Sequence, residues 1–252
     1  MKLENDYVRS IALVSDLHVG SRYALAPENW ITNDGTRLGQ AMNEGQRKIL
    51  EYWKDYTKTM RDEFKIDTVF ILGDVIAGIN RRECGLDMMT TNLNEQKEAA
   101  VQILEPLCKN KQVGVWSGTA YHESQDVKIH GWIAEALNGT FYGAIKNIIL
   151  EPTKKIANIA HQTTEAMIYP ETVLSRDILF QKEAEALGKL QKCHAIIRGH
   201  RHSCCEIHKQ DLHYIILPCW QAFVPYEKAV RWYFKFQPDI GGALLLIDDK
   251  ER

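Results

Sequence analysis

Six side chains of two chemical types, Asp16, His18, Asp74, His161, His200 and His202, follow directly on apolar runs of this sequence, and His122 stands a few residues past another such run. Imidazole is the commonest metal ligand in proteins, and a mixture of imidazole and carboxylate suits a borderline divalent cation such as Mn²⁺, Fe²⁺ or Zn²⁺. Mg²⁺ and Ca²⁺ prefer sets made of oxygen. His200 and His202, one residue apart after Ala195-Ile196-Ile197, place two imidazoles where a buried strand leaves its sheet. Seven candidates are too many for one ion. Two ions roughly 3.5–4 Å apart that share a carboxylate would use them all.

The elements that position these groups are legible as apolar periods. Residues 11–14, 68–72, 113–117 and 195–197 form short continuous apolar runs, the pattern of strands buried on both faces. They lead into Asp16, Asp74, His122 and His200. Ligand sites of α/β sheets favour the carboxyl ends of strands. A hairpin is expected from 144–150 and 155–160, its second strand ending at His161, and antiparallel strands from 203–208, 212–217 and 243–247. Helices are expected over 41–64, with Ile49, Trp53, Tyr56, Met60 and Phe64 on one face, and over 94–108, with Pro106 weakening the last turn. Two more are expected, one from an N-cap at Ser124 through Leu137 and one over 171–192. Residues 21–39 show no period and are long enough for a lid or specificity loop over a site.

Composition narrows the function classes. The 252 residues are 45% hydrophobic and 25% charged, ordinary for a folded protein with a substantial core, and no Pro-rich or Ser/Gly-rich linker divides them. One domain over residues 1–252 is expected. A formal net charge of −2 gives no global attraction to nucleic acid or anionic lipid, so a nucleic-acid partner is not indicated by charge. No segment reads as a signal peptide or a membrane span, so a cytoplasmic protein without a membrane partner is expected. The six cysteines lack CxxC spacing and are expected to stay reduced.

In order, Asp16-Leu17-His18, Gly73-Asp74, Tyr121-His122-Glu123, His161 and Gly199-His200-Arg201-His202 resemble the motif set of the calcineurin-like metallophosphoesterases. The resemblance spans residues 16–202. It implies a four-layer α-β-β-α fold, two packed mixed β-sheets flanked by helices. It further implies a hydrolase, a phosphatase or other phosphoesterase, with a dinuclear metal centre, manganese being one candidate. Asp16, His18 and His202 would hold one ion, Asp74 would bridge, and His161 and His200 would hold the second. His122 would be the catalytic group near the leaving group. One departure stands out: the asparagine that precedes the catalytic histidine in the family is replaced by Tyr121, a poor ligand as a neutral phenol. Either the Thr119 hydroxyl or a water takes the place of the amide oxygen, or His122 turns inward as a ligand.

The chemistry of such a set suits phosphate independently of the name. Two divalent cations against two carboxylates and one bridging hydroxide leave a centre of about one positive charge, fit for an anionic phosphate ester. The hydroxide would attack phosphorus in line, and His122 would protonate the departing alkoxide. Arg198 and Arg201, flanking the histidines, are candidate phosphate contacts. His130, His194, His208 and His213 belong to no motif and are expected to be structural or surface groups, and Cys204 offers a rival zinc site with the histidines. The aromatic segment from Trp220 to Phe236 is expected to pack in a core or interface. The expected activity is metal-dependent cleavage of a phosphate mono- or diester. The alternatives are a non-catalytic binding module with an impaired second ion site and a nuclease-type phosphodiesterase.

Overall fold

A computed structural model describes residues 8–81, 84–122, 129–162, 170–209, 212–222 and 237–248. The expected helix start at Ser124, Glu123 and the aromatic and basic residues of 223–236 lie outside them. Two five-stranded sheets carry the chain. In the first, β1 (Arg9–Ser15), β2 (Thr68–Leu72), β3 (Gln112–Trp116) and the two-residue β4 (Thr140–Phe141) run parallel. The second is ordered β5 (Ile145–Leu150), β6 (Lys155–Ala160), β7 (Ala195–Arg198), β9 (Leu212–Ile216) and β8 (Cys205–Lys209). The last strand, β10 (Ala243–Ile247), returns to the first sheet antiparallel to β1.

The apolar runs do not alternate because both faces of these strands are covered. Ile11, Leu13, Phe70, Leu72 and Trp116 face Ala157, Ile159, Ala195 and Ile197 across the space between the sheets. Ala12, Val14, Val69, Ile71, Val113 and Val115 point the other way, into a core made with α1 (Glu44–Asp62), α2 (Leu93–Cys108) and α3 (Ile129–Ala136). On the far side of the second sheet Ile156, Ile196, Leu212, Tyr214 and Ile216 meet Leu174 of α4 (Pro170–Ala186). The four layers are therefore helix, sheet, sheet, helix, the architecture the motif set implied.

Local chemistry sets the boundaries. Asn43 caps α1 in a reciprocal capping box with Gln46. Pro106 is tolerated inside α2, which runs on to Cys108. The helix expected over 171–192 stops at Ala186. Gly188 there adopts φ 68°, and Lys189 N–H bonds the Ala184 carbonyl at 2.8 Å, a left-handed cap that ends the helix. Residues 21–39 do not form a lid. Ala24, Leu25, Ala26 and Trp30 are buried, Leu25 N–H bonds the Trp220 carbonyl, and a short 3₁₀ turn, Leu38–Ala41, leads into α1.

Register brings the candidate residues together. Ser15 pairs with Leu72 and Leu72 with Trp116, so Asp16, Gly73-Asp74 and Ser117-Gly118-Thr119 leave the first sheet in one row. In the second sheet Ile159 pairs with Ile197, so His161 lies beside Gly199, whose N–H bonds the His161 carbonyl at 3.0 Å.

Candidate metal centre

Five of the candidate residues turn sharply out of their strands. Asp16, His18, Asp74, His200 and His202 have φ of 55°, 46°, 44°, 70° and 51°, the left-handed region that non-glycine residues rarely enter. Such a conformation persists only where its surroundings enforce it, and it clusters at functional sites. The enforcement is visible: Asp16 N–H bonds Gly73 O, His18 N–H bonds Asp74 O, and Trp220 N–H bonds Asp16 O. The turns of the first sheet lock each other, and Trp220, in the segment after β9, holds Asp16.

The side chains converge on three overlapping groups of donor atoms: Asp16, Asp74, His161 and His200; Asp16, His18 and His202; and His18, Asp74 and His122. Within each, the donors lie inside 4.8 Å of one another. Ligands that bind one ion at ~2.0–2.2 Å are separated by roughly 2.8–4.4 Å, depending on the angle between them. His18 Nε2 lies 3.0 Å from His202 Nε2 and 3.6 Å from Asp16 Oδ1, while His202 Nε2 lies 3.3 Å from the same oxygen. On the other side His161 Nε2 is 2.9 Å and His200 Nδ1 3.9 Å from Asp74 Oδ2, with Asp16 Oδ1 3.8 Å from His161 Nε2. All six separations fall in the window.

Other contacts orient these donors. Ser15, a lone hydroxyl at the end of an apolar strand, places its Oγ 2.5 Å from Asp16 Oδ2 and 2.6 Å from the Leu72 carbonyl. Asp16 Oδ2 also accepts the His200 N–H at 2.8 Å. His161 Nδ1 donates to the Leu72 carbonyl at 2.6 Å, which directs Nε2 at Asp74. A carbonyl or carboxylate behind a ligating histidine is the usual arrangement at metal sites. The sequence signalled none of these supports apart from the polar Ser15.

Electrostatically the cluster sets two buried carboxylates against several imidazoles. Asp16 and Asp74 are fully buried, which would raise their pKa values, yet His161 and neighbouring imidazoles hold both carboxyls well below their usual range. Burial pushes His18 down to about 4, helped by His122 and His202, so its ring is neutral and its lone pair is available. Burial also opposes charge on His161, but Asp74, Asp16 and the Leu72 carbonyl raise it to about 9. His202 is raised despite burial by the sulfur of Cys219 and by Asp16. Two protons thus do the work of a cation. Meanwhile Asp16 Oδ1 and His18 Nδ1 are buried without any hydrogen bond. An orphaned carboxylate oxygen amid imidazole nitrogens is a donor set that fits divalent ions.

Thr119 also reaches the centre: its N–H donates to Asp74 Oδ1 at 2.7 Å, and its hydroxyl lies 3.2 Å from both Asp74 oxygens. His122 lies on the His18 side, with ring centroids 4.5 Å apart, and Tyr121 points away to bond Asn80 Oδ1 at 2.8 Å.

The two arginines diverge. Arg198 is not placed as a phosphate contact: it is buried, and its guanidinium meets Asp177 at 2.9 Å and Asn158 at 2.7 Å, beneath α4. Strand alternation is the reason, since Ile197 faces the other sheet and Arg198 therefore faces the helix. Arg201 is half-buried and lines a small depression with His161, Gln162 and His200. The motif-free histidines are outside the centre. His130 accepts the Val75 N–H, His194 accepts the Ile156 N–H, and His208 stacks on His213 at 4.0 Å. Cys204 is exposed, and among the described residues no cysteine joins the metal-competent groups. Trp220 is buried against Trp53 and Tyr56.

No known protein family profile matches the chain, and no curated protein matches it. Among solved structures it is similar to an archaeal phosphodiesterase at 11% identity, over 94% of this chain and 99% of that one, with a TM-score of 0.45. It is also similar to Vps29 complexed with Zn²⁺ from Entamoeba histolytica, at 15% identity over 95% of this chain and 87% of that one, with a TM-score of 0.49. A third is YfcE, a phosphoesterase from E. coli, at 13% identity over 83% and 79% of the two chains, TM-score 0.42. Among the described residues no helix is long and apolar enough to cross a membrane.

Proposed function

We propose that this chain is a metal-dependent phosphoesterase, folded as one domain over residues 1–252, that hydrolyses a phosphate mono- or diester with two divalent transition-metal ions. The observation that supports this best is the orphaned, fully buried Asp16 Oδ1 between His202, His18 and His161 at 3.3, 3.6 and 3.8 Å, in a centre whose second carboxylate, Asp74, meets its own pair of imidazoles. Asp16, His18 and His202 would hold one ion, His161 and His200 the second, and Asp74 would be shared. When bound, such ions supply the positive charge that neutralises a phosphate and the acidity that makes water nucleophilic near pH 7.

The protein's own groups prepare that chemistry. His161 keeps its proton on Nδ1, against the Leu72 carbonyl, and so turns Nε2 inward. Thr119 N–H and His200 N–H fix the orientation of Asp74 and Asp16, so neither carboxylate has to reorganise as charge develops. Arg201, which lines a depression beside His200, would meet an outer phosphate oxygen.

The assay is hydrolysis of para-nitrophenyl phosphate and of its bis ester by protein loaded with Mn²⁺, with Asp74→Asn as control. Activity that survives Asp74→Asn would refute the shared-carboxylate mechanism. Preference for the bis ester would point to the diesterase or nuclease reading. A second reading, a non-catalytic module that binds metal and a partner, draws on the Thr119 contacts: a side chain spent on Asp74 stands where the family places an amide ligand. Metal uptake without hydrolysis of either ester would favour it.

A further inference from the structure

We propose that His122 binds a divalent cation through Nε2, together with His18 and Asp74, and does not stand free as the proton donor that the family resemblance implies. The inference rests on the reading of the cluster as a metal centre. Its first support is the tautomer. His122 Nδ1 lies 2.7 Å from the Ala77 carbonyl, a contact that only an N–H can make favourable, so the hydrogen sits on Nδ1. In the neutral ring Nε2 then carries the lone pair. That atom faces Asp74 Oδ2 at 3.9 Å, the separation at which His200 Nδ1 faces the same oxygen from the other side. The donor atoms of His18, Asp74 and His122 lie within 4.8 Å of one another, as do those of the two groups that contain the other motif residues.

The second support is how firmly the ring is held. The Ala77 carbonyl belongs to a segment pinned on both sides: Ala77 N–H bonds Val19 O at 3.0 Å, and Gln96 accepts from Gly78 N–H at 2.9 Å while donating to Gly78 O at 2.7 Å. Gly78 adopts φ +75° directly against the His122 backbone, so that a Cβ there would lie 2.9 Å from the His122 carbonyl oxygen. His122 N–H in turn bonds Thr119 O at 3.1 Å. A carbonyl–imidazole unit held this way resembles the outer support of a ligand, as the Leu72 carbonyl supports His161.

The third support is the fate of the amide-ligand position. Thr119 directs both its N–H and its hydroxyl at Asp74, so it orients the carboxylate and its hydroxyl proton is already engaged there. His122 supplies a donor in its place, but on the side of His18 and not that of His161. The centre is accordingly lopsided, with the extra imidazole at the ion bound by His18.

The test is titration of metal-free full-length protein with Co²⁺, read by calorimetry and by the visible absorption of the bound ion, which reports its ligands without any turnover. The proposal predicts that His122→Ala weakens one Co²⁺ equivalent by about 10–100-fold or more and changes its absorption band, and that His122→Asn, which returns a metal-binding oxygen, recovers part of the affinity. Circular dichroism identifies any variant that has failed to fold, and His122→Asn alone still distinguishes the cases through its altered band. Wild-type affinity and an unchanged band in His122→Ala would overturn the proposal while leaving the metal centre intact. No Co²⁺ uptake by wild-type protein would instead overturn the metal-centre reading on which it rests.

Discussion

Gly199 is the residue between the end of β7 and His200, and replacing it with alanine perturbs the centre without removing any candidate ligand. A Cβ at this position would lie 2.0 Å from Ser15 Oγ, 2.9 Å from His161 Nδ1 and 3.0 Å from Asp16 Oδ2. The first distance falls more than ~1 Å short of van der Waals contact. Ser15 must therefore rotate or β1 and β7 must part. Either response breaks the Ser15 contact with Asp16 Oδ2 and leaves that oxygen with the His200 N–H alone. Overpacking costs ~1–3 kcal/mol and a lost bond to a buried carboxylate ~1.5–3 kcal/mol, together about 2.5–6 kcal/mol. For a chain of this length that is a fall of roughly 5–24 °C in Tm. Because Asp16 belongs to two of the three donor groups, metal affinity should fall by about 10–100-fold. The assay pairs differential scanning calorimetry of metal-free protein with Co²⁺ titration, using Gly45→Ala in α1, where a Cβ meets only the Asn43 side chain at 3.3 Å, as the control. A Gly199→Ala protein with wild-type Tm and wild-type affinity would refute the claim that Ser15, Asp16 and Gly199 are packed as one unit.

Two further outcomes follow from the same geometry. His161 has a folded-state pKa raised from 6.5 to about 9, so in metal-free protein its contribution to stability is full below pH 6.5 and is lost as pH rises through 9. Urea midpoints measured in chelator should fall across that interval, and the fall should disappear in His161→Gln; a flat profile for wild type would contradict the charged His161. Arg198→Met should cost ~3–5 kcal/mol by removing the cation paired with buried Asp177, yet leave Co²⁺ affinity within about threefold, because the guanidinium serves α4 and not the centre. A large loss of affinity with unchanged stability would place Arg198 at the site after all.

Much of the centre was legible in the sequence because parallel strands buried on both faces read as unbroken apolar runs, and their ends mark where ligands can gather. Asp16, Asp74 and His200 were found that way and His161 through the ordered motif set around it, and the registers of β1, β2 and β3 and of β6 and β7 explain why the four meet. Arg198 was one of two candidate phosphate contacts, and period-two alternation turns it away: Ile196 and Arg198 share the face that meets α4. Other features were not legible for physical reasons. Residues 21–39 look like a free loop because their buried residues, Leu25, Ala26 and Trp30, follow no period and pack against partners distant in sequence. The end of α4 was overrun because the left-handed cap at Gly188 competes with helix-favouring residues on both sides. The backbone carbonyls of Leu72 and Ala77, which hold His161 and His122, have no side-chain signature at all.

The central claim is that Asp74 is shared between two ions in a hydrolytic centre. The most direct measurement is inductively coupled plasma mass spectrometry of wild-type and Asp74→Asn protein purified without chelator, alongside hydrolysis of para-nitrophenyl phosphate and its bis ester by the same samples. About two transition-metal equivalents and turnover of at least one ester are expected in wild type, with metal content reduced and turnover abolished in Asp74→Asn. Less than one equivalent in wild type, or hydrolysis that persists in Asp74→Asn, would contradict that claim.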